Sequence, residues 1–285
     1  MTTTKLILVE GLPGAGKSTT AQLAGKLLAE QGYKVRLFLE GNPDHPADYE
    51  ATACMTADEY ARLLHVCSGE QREIVEEAAF KRGGEIFIPY GSIERKTGKP
   101  WSEDIRQLLA EKDVYELPLA QNRRVIADRW RRFSEVAQQD DAVTVFECCF
   151  IQNPVTMGMI KYGASAKDVN AYVIELLESI LPLDPLLIYV GQRDVEFTFR
   201  KALQERPGEW SEGFIRYYNE QGYGKAHGAS GVEGTIRVLE ARAELERSIV
   251  EGLAMDKAYI DNSAYDPGQA EQELRTIIEK HITGS

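Results

Sequence analysis

The sequence predicts an α/β fold in which a parallel five-stranded sheet carries helices on both faces. Two observations support this fold class. Short, continuously apolar segments alternate with helical ones, and a glycine-rich loop separates the first apolar segment from the first helix. Parallel strands that helices cover on both faces are typically apolar along their whole length. We predict the strands at 5–9, 34–40, 143–148, 186–191 and 257–261.

The loop after the first strand has the pattern G-x-x-x-x-G-K-S over residues 11–18. Its glycines let successive N–H groups point into one concavity, where they bind phosphate oxygens together with the positive end of the following helix. By chance, the four fixed positions coincide in on the order of one chain in a hundred of this length. The motif therefore predicts a three-layer P-loop NTPase fold that binds ATP and Mg²⁺. The residues expected to hold the nucleotide are Gly11, Pro13, Gly14, Ala15, Gly16, Lys17, Ser18 and Thr19.

The remaining elements follow in chain order. A loop is predicted at 42–53, two helical pieces within 56–84, and a short β-like run at 85–91. Further helices are predicted at 102–113, 118–139, 168–181, 194–207, 235–253 and 267–282. Residues 207–234 are rich in glycine and aromatic residues and are left unassigned. About a hundred residues separate the second and third strands, which is far longer than an ordinary crossover. We therefore predict a nucleotide-binding core over 1–41 and 142–285, and a mostly helical insertion over 42–141 that forms a substrate subdomain.

Composition narrows the possible partners. The apolar fraction of 43% excludes a disordered chain, and the longest apolar runs fall far short of the roughly 18 residues that a membrane helix needs. The net charge of −12 disfavours nucleic acid, since phosphate neutralisation requires a basic surface. The four cysteines form no CxxC pair and no leader segment is evident, so we expect the protein to be located in the reducing cytoplasm. With nucleic acid and membrane disfavoured, we expect the partner to be a small molecule.

Three segments resemble the nucleoside and nucleoside-monophosphate kinase group, with thymidylate kinase and the deoxynucleoside kinases nearest. They are ILVEGLPGAGKST (7–19), DPLLIYVGQRDVEFTFRKALQERP (184–207) and DKAYIDNSAYDPGQAEQELRTII (256–278). The resemblance covers residues 1–41 and 142–285 and implies ATP-dependent phosphoryl transfer, an arginine-bearing lid within 200–234 and, in many members, a homodimer. The sequence departs from the family pattern after the third strand, where Cys148 occupies the position of an arginine. The resemblance therefore names no acceptor.

Several side chains are candidates for catalysis. Lys17 would reach the β- and γ-phosphates, while Ser18 and Glu147, at a strand end, would hold Mg²⁺. The alternative for Glu147 is a helix-capping or salt-bridged acid. Glu40 ends the second strand and, as the resemblance implies, would position the acceptor hydroxyl; otherwise it faces solvent. Arg200 and Arg206 would neutralise the transferring phosphoryl group, or belong to a solvated helix face.

Other polar residues are weaker candidates. Asp44 and His45 lie in the loop after Glu40. A basic cluster on the helix at 118–139 would bind an anionic acceptor, replace the missing family arginine, or lie in solvent; its members are Arg123, Arg124, Arg129, Arg131 and Arg132. The aromatic stretch at 210–223 suits a lid or acceptor wall, or equally a packed surface loop.

These observations predict a kinase that transfers phosphate from ATP to a small hydroxylated or phosphorylated acceptor, such as a nucleoside or nucleotide. A guanine-recognition N-K-x-D motif is absent from the sequence, which favours ATP over GTP. The alternative is a regulatory P-loop ATPase or switch protein that acts through a protein partner. A module that binds ATP without catalysis is a third reading, and the presence of Lys17, Ser18 and Glu147 argues against it.

Overall fold

The computed structural model describes residues 4–67 and 69–283. Within these ranges eight strands form two sheets; they are β1 (Leu6–Glu10), β2 (Val35–Phe38), β3 (Ala53–Met55), β4 (Phe80–Arg82), β5 (Glu85–Ile88), β6 (Val143–Glu147), β7 (Leu186–Gly191) and β8 (Asp256–Asp261). The α-helices of the same ranges are α1 (Lys17–Glu30), α2 (Ala57–Val66), α3 (Gly69–Ala78), α4 (Tyr90–Thr97), α5 (Glu103–Ala110), α6 (Leu119–Ala137), α7 (Gln152–Val155), α8 (Ala166–Ile180), α9 (Val195–Glu205), α10 (Gly208–Glu220), α11 (Gly222–Ala226), α12 (Gly231–Gly252) and α13 (Pro267–Ile278).

Short non-α helical segments complete the description. Val114–Glu116 and Leu181–Leu183 are 3₁₀ turns, and Thr156–Lys161 and Glu279–Thr283 are π-helical. In the part of the chain that the structure describes, no helix is both long and apolar enough to cross a membrane.

The larger sheet has the strand order β2-β6-β1-β7-β8, and every neighbouring pair is parallel. This confirms the predicted α/β class and the parallel five-stranded sheet. β1 is the central strand; at its carboxyl end Val9 lies opposite Glu147 of β6, and Glu10 lies opposite Tyr189 of β7. The chain leaves β1 towards β2 on one side, and leaves β6 towards β7 on the other. In open α/β sheets, ligands bind beyond the carboxyl ends of the strands at such a reversal.

Helices cover both faces of this sheet. On one face, Ile7 and Val9 of β1 join a buried cluster with Leu28 of α1 and Leu274 of α13. On the other face, the Phe146 ring of β6 contacts the rings of Trp130 and Phe133 from α6, with centroids 5.9 and 4.6 Å away. Alternate strand residues therefore point to opposite helical layers, as the period of two requires.

A buried ion pair lies on the α12 side of the sheet. Arg242 and Glu246 are each 1% exposed, and Arg242 Nε donates to Glu246 Oε1 at 2.6 Å. The Tyr189 hydroxyl donates to Glu246 Oε2 at 2.8 Å, and Arg242 Nη1 donates to the Tyr218 hydroxyl at 2.5 Å. These contacts join β7, α10 and α12 through charged groups that are removed from water.

The chain divides into two compact units. One contains the chain up to Glu40 and from Trp130 onward, and the other is Gly41–Arg129. The division falls inside α6, before the expected limit at residue 141, because Trp130 and Phe133 pack against the aromatic residues of the parallel sheet. The second half of α6 thus belongs to the unit that contains the phosphate-loop motif.

The unit Gly41–Arg129 contains a three-stranded antiparallel sheet of order β3-β5-β4 beside its helices. The β-like run at 85–91 corresponds to β5, and the two helical pieces predicted within 56–84 correspond to α2 and α3. The predictions were wrong at β3, which begins at the last residue of the predicted loop, and at β4, which replaces the end of the second helical piece. Gly83 and Gly84, both with positive φ, connect β4 to β5. A Gly-Gly pair between short apolar segments favours such a two-residue hairpin, so this signal was present in the sequence.

Residues 207–234 are helical and form α10, α11 and the start of α12. Aromatic packing stabilises them: the Phe214 ring stacks on Tyr218 with centroids 4.1 Å apart and contacts Trp210 at 4.9 Å. Tyr218 is buried. The aromatic residues of this segment therefore form a packed helical layer.

Candidate functional site

The loop between β1 and α1 is a tight turn that requires glycine. Gly11, Gly14 and Gly16 have φ of +148°, +85° and +97°. A Cβ on Gly11 would overlap the carbonyl oxygen of Val190, so even a methyl group would displace the loop from β7. Gly16 is the residue before α1, and the N–H groups of the first helical turn follow it. The loop and this helix terminus form a region of positive electrostatic potential.

A side chain from the other end of the chain holds the loop. Asn262, just after β8, donates its Nδ2 to the carbonyl oxygen of Ala15 at 2.8 Å. A Cβ on Gly16 would lie 2.5 Å from the same nitrogen. Sequence reasoning did not single out Asn262, although it lies in one of the three kinase-like segments.

Lys17 lies inside the turn and is 6% exposed. Its ammonium donates to the carbonyl oxygen of Leu12 at 3.0 Å. Burial of a cation costs free energy unless negative charge compensates it. The turn therefore holds a buried ammonium group at the start of α1.

Ser18 and Glu147, predicted as a metal-binding pair, lie in direct contact. Ser18 Oγ donates to Glu147 Oε1 at 2.5 Å, and the backbone N–H of Glu40 donates to Glu147 Oε2 at 3.2 Å. Glu147 is 2% exposed. A hydroxyl and a carboxylate are the oxygen ligands that Mg²⁺ prefers. The structure thus brings together residues that are 129 positions apart in the chain.

Glu40 completes an acidic group at this edge of the sheet. Gln152 Nε2 donates to Glu40 Oε1 at 2.6 Å, and Cys148 Sγ lies 3.5 Å from Glu40 Oε2. Potential ligand atoms of Glu40, Glu147 and Cys148 all lie within 4.8 Å of one another. Burial raises the pKa of the Cys148 thiol well above its ordinary value, so the sulfur remains a neutral, poor ligand. The two carboxylates are the groups suited to a hard cation.

The turn after β6 sets these positions. Cys148 has φ of +72°, the left-handed region that non-glycine residues rarely adopt. The Glu10 carboxylate accepts hydrogen bonds from the backbone N–H groups of Phe150 at 2.7 Å and Gln152 at 3.0 Å. Glu10 therefore fixes the turn that presents Cys148 and Gln152 to Glu40. The sequence marked Glu10 only as the residue before the first glycine.

Burial raises the pKa of Glu10 to about 7, with a further contribution from the charge of Glu246. Because the folded-state pKa lies above the ordinary value of 4.5, the stabilisation is complete below pH of about 4.5 and is lost as the pH rises through about 7. We expect the free energy of unfolding of the wild type, relative to Glu10→Gln, to fall by about 2 kcal/mol between pH 5.5 and 8.

Urea denaturation of both proteins at the two pH values measures this difference. An exposed replacement, Glu251→Gln, is the matched control and should show no such trend. A constant difference between the wild type and Glu10→Gln across this range would mean that Glu10 stays ionised in the folded protein.

The predicted lid arginines have partners on or near α9. Arg200 Nε donates to Glu196 at 2.8 Å and its Nη2 donates to Glu233 at 2.6 Å. The guanidinium of Arg206 lies over the Trp210 ring, 4.5 Å from its centroid. None of these contacts joins either arginine to Glu40 or Glu147. Both arginines are solvated, which agrees with the alternative interpretation that they belong to an exposed helical surface.

Most of the remaining candidates belong to the unit Gly41–Arg129. Arg124 pairs with Glu85 at 2.6 Å, and Arg129 Nη2 donates to the carbonyl oxygen of His45 at 2.7 Å. Burial lowers the pKa of His45 to about 3, which keeps the ring neutral. Asp44 accepts a hydrogen bond from Ser92 at 2.5 Å. These contacts stabilise the unit Gly41–Arg129. Arg123, Arg131 and Arg132 also have interaction partners.

Comparison with known proteins assigns no family to this geometry: no protein-family model matches the chain, and none of the curated proteins matches it in sequence. The chemistry of the site follows from its own groups. Backbone donors and Lys17 suit an anion, the Ser18 and Glu147 oxygens suit a hard cation, and Glu40 supplies a further carboxylate.

Proposed function

We propose that the protein is a kinase of the P-loop NTPase fold that transfers a phosphoryl group from ATP to a small hydroxylated or phosphorylated acceptor. The 2.5 Å contact between Ser18 Oγ and Glu147 Oε1 carries the proposal. It joins the first turn of α1, which begins at Lys17, to the end of β6, so one pair of oxygen ligands lies where the glycine loop ends. The net charge of −12 supports a small acceptor over nucleic acid.

The residues divide between two tasks. The loop N–H groups, the first turn of α1 and Lys17 would bind the phosphates of ATP. Ser18 and Glu147 would hold Mg²⁺, which neutralises charge on the phosphate oxygens when it is bound. Both ligand atoms are oxygens in direct contact, so the donor set fits this ion.

Glu40 would act on the acceptor. Its carboxylate lies beside Glu147, and Gln152 restrains it through a 2.6 Å hydrogen bond. A carboxylate in this position can orient the acceptor hydroxyl in line with the γ-phosphoryl group and accept its proton. Arg200 and Arg206 stay predicted lid residues, whose use in catalysis would require them to leave their present partners.

A screen of acceptors tests the proposal. ADP release from Mg·ATP is measured with and without nucleosides, nucleotides and hydroxylated small molecules. We expect strong stimulation by at least one compound, and a loss of about 10²–10⁴ in kcat for Glu40→Gln with ATP affinity retained. The exposed replacement Glu251→Gln should behave as the wild type.

Slow ADP release that no compound stimulates would contradict the kinase and favour a regulatory ATPase that requires a protein partner. A Glu40→Gln variant with wild-type kcat would contradict the role of Glu40 while leaving the kinase itself in place.

A further inference from the structure

Gln152, the first residue of α7, has an unused hydrogen-bond acceptor beside Glu40. The side chain is 8% exposed. Its Nε2 donates to Glu40 Oε1 at 2.6 Å, and its backbone N–H donates to Glu10 at 3.0 Å. Its Oε1 is buried, and among the described residues no group donates a hydrogen bond to it.

The orientation of this amide follows from its neighbour. An ionised carboxylate only accepts hydrogen bonds, so the amide nitrogen must face Glu40 and the amide oxygen must point elsewhere. A buried carbonyl oxygen without a donor is unfavourable, and such groups in folded proteins call for a partner outside the chain. Glu10 holds the backbone of Gln152, and the hydrogen bond from Nε2 to Glu40 holds the side-chain amide.

We propose that Gln152 Oε1 accepts a hydrogen bond from the acceptor substrate, and that Gln152 thereby selects acceptors with a second donor next to the reacting hydroxyl. The inference rests on the proposed kinase function. One amide group contacts Glu40 through its nitrogen and offers its oxygen to the ligand, so the second donor must lie within a few atoms of the hydroxyl that Glu40 orients. The substrate class is a polyol, sugar, nucleoside or amino alcohol, as distinct from a simple alcohol.

Phosphoryl transfer exchanges one phosphorus–oxygen bond for another and moves one proton. The bond from the γ-phosphorus to the ADP oxygen breaks as the bond to the acceptor oxygen forms, and the acceptor proton passes to Glu40. Gln152 exchanges no atoms; it contacts the substrate and restrains the carboxylate.

Matched acceptor pairs test the selection. In each pair one member lacks the second donor group: 1,2-propanediol and 1-propanol, thymidine and 3′-deoxythymidine, deoxyadenosine and 2′,3′-dideoxyadenosine, and 2-aminoethanol and ethanol. ADP release gives kcat/KM for each member with the wild type and with Gln152→Met, which keeps the length of the side chain but removes the amide. For the pair that the wild type accepts, we expect the member with the second donor to be preferred at least tenfold.

In Gln152→Met both members should be slower because Glu40 loses its restraint, and the preference should fall towards one. The ratio is the diagnostic value, since a purely structural role would slow both members equally. Far-ultraviolet circular dichroism and Mg·ATP binding verify that the variant folds. If it does not fold, Gln152→Asn, which retains an amide but withdraws it, provides the same comparison.

Equal use of both members by the wild type, or an unchanged ratio in the variants, would overturn the inference and indicate that only water occupies Gln152 Oε1. If no compound of any pair is phosphorylated and the broader acceptor screen also fails, the proposed function falls, and this inference falls with it.

Discussion

Replacement of Lys17 by methionine is expected to lower the turnover of Mg·ATP by about 10²–10³-fold while the fold is retained. The ammonium is 6% exposed inside the glycine loop, and it is the cation that would contact the β- and γ-phosphates. Methionine keeps most of the volume of the stem and removes the charge. Steady-state ADP release and ATP titration calorimetry would measure kcat and affinity separately.

Lys26→Met is the matched control. Lys26 lies on the same helix, is 65% exposed and pairs only at the surface with Glu30. Its replacement should leave turnover unchanged. Wild-type turnover in Lys17→Met would instead show that residues 11–18 are not the phosphate site, whatever their resemblance to the motif.

Replacement of Glu246 by leucine is expected to cost about 3–5 kcal/mol of unfolding free energy. The substitution leaves the guanidinium of Arg242 buried without its charged partner, and it removes the acceptor of the Tyr189 hydroxyl. The double replacement Arg242→Met with Glu246→Leu removes both charges, so it should recover much of the loss. Urea denaturation of the two variants and the wild type would measure this.

The exposed pair between Arg72 and Glu76 provides the contrast, since its side chains are 52% and 46% exposed. Glu76→Leu should change the unfolding free energy by less than about 1 kcal/mol, because water already solvates both charges. Equal losses in the single and double variants at Arg242 and Glu246 would mean that packing volume, and not the unpaired charge, determines the cost.

The sequence was most informative where one local rule decides the structure. Apolar runs located the three inner strands β1, β6 and β7, because such strands are buried on both faces. The phosphate-loop motif and the strand-end position of Glu147 together anticipated its contact with Ser18. The sequence was least informative at 207–234, where glycines obscure a helical pattern that the contacts of Phe214 stabilise in the folded unit.

The proposed acceptor side of the site could be predicted only in part from the sequence. Glu40 was found by its strand-end position, but Gln152 belongs to an apolar run and matches no motif. Its role depends on the left-handed turn at Cys148 and on the capping of that turn by Glu10. A non-glycine residue with positive φ has no reliable sequence signal, so the turn at Cys148 could not be predicted from the sequence.

The hydrogen bond from Asn262 to Ala15 has a consequence for synthesis of the protein on the ribosome. The side chain that holds the glycine loop is translated 247 residues after the loop itself. At about 5–20 residues per second, tens of seconds separate the two events. A nascent chain that ends before β8 would therefore contain the glycine loop without the hydrogen bond that holds it, and we expect the loop to be more mobile at that stage.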